Sequence, residues 1–84
     1  ISEKDKCYRL VSRIFDILNK FNINVTYDDS YYYMNKLDEK IGTIKKMKDK
    51  VVMSLEKPSI VLSFKHNEDN NSNYQFMELL INKF

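Results

Sequence analysis

The sequence holds one cysteine, one histidine, one glycine and one proline, and neither alanine nor tryptophan. A single thiol, Cys7, cannot form an internal disulfide. With His66 as the sole imidazole, a Cys/His zinc site, which wants about four ligands, is out of reach. There is no glycine-rich phosphate loop, no G-x-S-x-G elbow and no H-E-x-x-H pair. The chain therefore reads as non-enzymatic, with no cofactor. No apolar run approaches the roughly 18–20 residues of a membrane-spanning helix. Fourteen basic against twelve acidic side chains leave only +2, short of the strongly basic balance of nucleic-acid binders, so no nucleic-acid partner is expected.

What is present is enough for one small folded domain. The 84 residues are 43% hydrophobic, with six Tyr and five Phe, which excludes a fully disordered chain. The first residue is Ile1 rather than Met. The expectation is an excised fragment, residues 1–84, of a longer membrane-anchored protein, its anchor lying outside this stretch.

Apolar periodicity predicts an all-α fold, a compact bundle of three to four helices. From Glu3 to Phe21, Cys7, Leu10, Val11, Ile14, Ile17, Leu18 and Phe21 share one helical stripe. Asn22 then suits a left-handed turn. From Asp28 to Glu56, Tyr33, Met34, Leu37, Ile41, Ile44, Val51, Val52 and Leu55 share a second stripe, giving one long helix, bent near Gly42 and ending before Pro58. Ile60-Val61-Leu62 suits either strand or short helix. The Asn67–Asn73 tract is a loop, and Asn73 to Phe84 a last helix. Three capping-box patterns support the helix starts: Ser2 with Asp5, Thr26 with Asp29 and Ser72 with Gln75. Ile14, Leu37, Ile41 and Ile44 are the expected core.

Lys48 falls near the centre of the second stripe, between Ile44 and Val51. A bare ammonium in a core is costly. Either its stem packs while the amine reaches water, or Lys48 borders a groove and meets an anion such as a lipid phosphate. Lys45 and its neighbours add charge nearby, although ordinary helix pairs use such runs too. In the lipid reading, a cleft beside the second and last helices takes acyl chains against Met77, Leu80 and Phe84. Tyr31, Tyr32, Phe76 and Leu79 point away from the stripes and suit a protein partner.

Lys, Asn, Ile, Tyr, Phe and Met make up 44 of the 84 residues. Such a bias reflects codon usage in an AT-rich genome, as in malaria parasites, some poxviruses and low-GC bacteria. With the asparagine tract and the alanine-free Lys/Ile/Tyr-rich helices, the chain resembles the soluble part of the Plasmodium proteins upregulated in infective sporozoites. Those sit in the parasitophorous vacuole membrane of the liver stage. The resemblance covers the whole chain but carries no site motif. It implies an all-helical domain facing the host cytoplasm and binding phospholipid, with phosphatidylethanolamine the candidate. It also implies contacts with a host fatty-acid-binding protein and an autophagy factor. The expected function is thus a lipid-binding and interaction module at a vacuolar membrane; the alternative is a pure protein-interaction module without lipid.

Overall fold

The computed structural model describes residues 3–28, 31–56 and 59–84. Helix α1 (Glu3–Lys20) leads into five strands, β1 (Asn24–Asp28), β2 (Tyr31–Lys36), β3 (Glu39–Lys46), β4 (Lys50–Glu56) and β5 (Ser59–Lys65), and helix α2 (Asn71–Ile81) closes the chain. The strands form one antiparallel meander in the order β1-β2-β3-β4-β5. α1 packs against β1, β4 and α2, and α2 against β5. The fold is α+β, and the expectation of an all-α bundle is wrong: the supposed long second helix is three strands and two tight turns.

Side-chain alternation shows why those residues form strands. Val51, Met53 and Leu55 on β4, and Leu62 and Phe64 on β5, are buried while their neighbours are not. That is the period of two of a sheet with one face covered. Ile60-Val61-Leu62, open between strand and helix in sequence, lies within β5. On β3 the pattern breaks, because Met34 pairs with Gly42 while Asn35 pairs with Lys40. Ile41 is the extra residue of a bulge, which turns both Ile41 and Ile44 into the core.

α1 forms as its stripe predicts, with Leu10, Val11, Ile14, Ile17 and Leu18 buried. It ends in a Schellman motif. Asn22 adopts φ 61°, its N–H reaches the Asn19 carbonyl at 3.1 Å, and the Ile23 N–H reaches Leu18 at 3.0 Å. Ile23 and Leu18, the hydrophobic pair of that motif, are both buried.

α2 starts at Asn71 rather than Asn73, with Asn70 instead of Ser72 at the N-cap position and no side-chain capping hydrogen bond. Thr26 lies in β1, not at a helix start; Ser2 and Asp29, the other capping-box residues, lie outside the described residues. Leu37, expected in the core, is 91% exposed. It forms a two-residue hairpin loop with Asp38, both at positive φ, 52° and 64°.

Candidate functional site

The sheet has two ends of different character. At one, the Leu37–Asp38 loop joins β2 to β3. At the other, Met47-Lys48-Asp49 joins β3 to β4, and four of the six residues 45–50 are lysine. This second turn is tied down on both sides. The Met47 N–H donates to the Lys50 carbonyl at 2.8 Å, and the His66 N–H, just past β5, to the Asp49 carbonyl at 3.1 Å. Lys45, Lys46, Met47, Lys48 and Asp49 are exposed and Lys50 half-buried. Among the described residues the ion pairs are Lys20–Glu78, Lys40–Glu56 and Lys65–Glu68; none uses a lysine of this turn.

Between the turn and α1 lies a groove of about 310 Å³. Tyr8, Cys7 and Val11 of α1, Tyr32 of β2, the Lys46–Lys48 segment and His66 line it. Tyr32 is the structured wall. Its ring meets Phe15 edge-on at 5.1 Å and Tyr27 at 4.9 Å between centroids. The Lys46 Nζ stands 5.3 Å from the Tyr32 centroid, within cation–π range. The Tyr32 hydroxyl, as hydrogen-bond partner, raises the Lys46 ammonium above its ordinary pKa. Slight burial opposes that shift, while the fields of Tyr32, Cys7 and Tyr27 add to it. Lys46 is thus cationic and held over an aromatic ring.

The expected lipid residues do not converge. Lys48 is not in an apolar stripe but exposed at the turn, where it lines the groove. Lys45 points to the other sheet face, its Nζ 5.4 Å from the Tyr31 centroid. Met77 and Leu80 are buried in the core and line neither this groove nor the one beside Phe84. Phe84 lines a separate groove with Leu37 and Ile41, and its carbonyl accepts from Lys36 Nζ at 2.7 Å. Of the proposed partner residues, Tyr31 is exposed, Tyr32 is half-buried in the groove, and Phe76 and Leu79 are exposed on α2.

Of the groove-lining residues, the sequence singles out Lys46 only as added charge near Lys48, and Met47 and Tyr8 not at all. The signal at 46–48 is a lysine run broken by one methionine, which a turn presents outward and a helix would scatter; Tyr8 carries none. Among the described residues no group of three or more Cys, His, Asp or Glu could hold a metal ion. No helix among them is long and apolar enough to cross a membrane. No family model, curated protein or solved structure matches the chain.

Proposed function

We propose that this domain docks reversibly on phospholipid surfaces of net negative charge, led by the β3–β4 turn. The observation that carries the reading is the turn itself: Lys45, Lys46 and Lys48 exposed and outside any ion pair among the described residues, around a Met47 that is 41% exposed. A lysine near an anionic leaflet contributes about 1 kcal/mol. Three therefore give weak, salt-sensitive attachment, which the methionine strengthens by entering the interface. The groove tyrosines suit the same boundary, with an apolar ring and a polar tip. Phosphatidylethanolamine and host proteins rest on the resemblance alone, and this reading requires neither.

Vesicle flotation tests it. The chain is expected to float with phosphatidylserine-containing vesicles at low salt, to be released at high salt, and to stay behind with pure phosphatidylcholine. The Lys45→Gln/Lys48→Gln variant is expected to lose most of the binding. Flotation that ignores lipid charge and salt would overturn the proposal. It would favour the second reading, a protein-interaction surface on α2, which rests on Phe76 and Leu79 lying exposed one turn apart.

A further inference from the structure

We infer that the groove beside the turn seats one lipid head group ending in a phosphomonoester, with Lys46 and Lys48 as its cationic ligands. This rests on the membrane-docking reading and specifies the ligand. General attraction to a charged leaflet needs only exposed lysines. Here two of them also line a cavity of about 310 Å³, near the lower bound of small-ligand sites.

Among the described residues no carboxylate lines that cavity. Two ammonium groups match a phosphomonoester, which carries roughly −1.5 to −2 at neutral pH. A phosphodiester, with a single negative charge, leaves one of them uncompensated. Lys46 is pre-placed over Tyr32, itself held by Phe15 and Tyr27, so little ordering remains when the anion arrives. The Tyr8 and Tyr32 hydroxyls can donate to phosphate oxygens. Val11 and the exposed Met47 form the apolar side of the same groove. That side suits the glycerol and first acyl carbons of a lipid, and favours a lipid over free phosphate or a phosphorylated peptide.

Lys45 provides the internal comparison. It is adjacent in sequence and equal in charge, yet it faces Tyr31 and does not line the groove. The experiment compares the full chain on phosphatidic acid vesicles and phosphatidylserine vesicles of matched surface potential. Phosphatidic acid is expected to bind roughly tenfold tighter, the scale of one added charge-assisted hydrogen bond. Lys46→Gln and Lys48→Gln are each expected to abolish that preference. Lys45→Gln is expected to weaken both vesicle types alike and to keep it. Lys48 is exposed on a turn, so its variant reads the site even where Lys46→Gln disturbs Tyr32.

Equal affinity for the two lipids at matched potential overturns the head-group site while leaving membrane docking intact. Absence of binding to either vesicle defeats the docking reading itself. Saturable chemical-shift changes at Tyr8 and Lys48 with glycerol 3-phosphate, without vesicle binding, would make the groove a site for a soluble phosphomonoester and overturn the lipid assignment.

Discussion

The Lys46 ammonium lies over the ring of Tyr32, 5.3 Å from its centroid, and Tyr32 in turn is gripped by Phe15 and Tyr27. One aromatic residue thereby ties α1, β1 and β2 to the basic turn. Two substitutions separate its functions. Tyr32→Phe keeps the ring and removes the hydroxyl. It should cost less than about 1 kcal/mol and let the Lys46 pKa fall back toward its ordinary 10.5, readable by NMR titration of Lys46. Tyr32→Ala removes the ring contacts as well and should cost about 2–3 kcal/mol. A urea midpoint unchanged in Tyr32→Ala would show that the ring merely covers the groove.

Gly42 distinguishes the sheet from the helix that periodicity suggested. A Cβ there would stand 2.5 Å from the Ser54 carbonyl oxygen on the neighbouring strand, a backbone atom that cannot swing aside. Gly42→Ala should therefore destabilise by about 1–3 kcal/mol, as overpacking does. Inside a helix the same change would stabilise by about 1 kcal/mol. The sign of the shift in melting temperature decides between the two structures.

The helix reading failed at identifiable residues. Met34, Leu37, Ile41 and Ile44 stand at spacings of three and four, which is helical spacing. In the structure the bulge at Ile41 sets Ile41 and Ile44 three apart in the core, and Leu37 is an exposed loop residue that completes the series by coincidence. The β2–β3 and β3–β4 hairpins were hidden because their loops, Leu37-Asp38 and Met47-Lys48-Asp49, contain no glycine, proline or asparagine and only one aspartate each as a turn residue. The evidence for strands was nevertheless partly visible in Val51, Met53 and Leu55 and in Ile60, Leu62 and Phe64, two runs with an apolar residue at every second position, although the apolar Val52 and Val61 blur the alternation. α1 was legible because eighteen residues keep one unbroken stripe and end at an asparagine able to adopt positive φ. At the site, the lysines at 45 and 48 were conspicuous as charge. Their separation onto two faces, and the tyrosine wall beside them, depended on strand register, which periodicity within one segment does not reveal.

The Leu37-Asp38 loop makes a further prediction. Positive φ at both central residues is the pattern of a type I′ turn, for which Asn-Gly is the preferred pair. Leucine there costs about 1–2 kcal/mol relative to glycine and, at 91% exposure, gains little from burial. Leu37→Asn, and more so Leu37→Asn/Asp38→Gly, should raise the urea midpoint by an amount equivalent to about 1 kcal/mol or more. A drop would mean that Leu37 packs in the folded chain, as a core residue would.

Alkaline pH should reveal a second ionisable contact, at Tyr74. Its ring stacks on Phe64 at 5.3 Å and carries the Arg13 guanidinium at 5.2 Å. Burial raises the Tyr74 phenol above its ordinary 10.0, and the nearby Arg13 charge only partly offsets this. In the unfolded chain the phenol ionises near 10.0, so above that pH the unfolded state loses a proton that the folded state keeps. Folding is thus penalised as pH rises past 10. Lys46 acts in the same direction: its folded pKa lies above 10.5, so its contribution is complete below that value and fades as pH rises through the folded pKa. Neither group changes stability between pH 6 and 9. The denaturation midpoint should therefore show no contribution from these two groups across that range and should fall above about pH 10. Tyr74→Phe should lessen the alkaline fall and remove a late-titrating phenol from the ultraviolet titration. An alkaline profile identical in Tyr74→Phe would show that this ring is no more shielded from solvent than the other tyrosines.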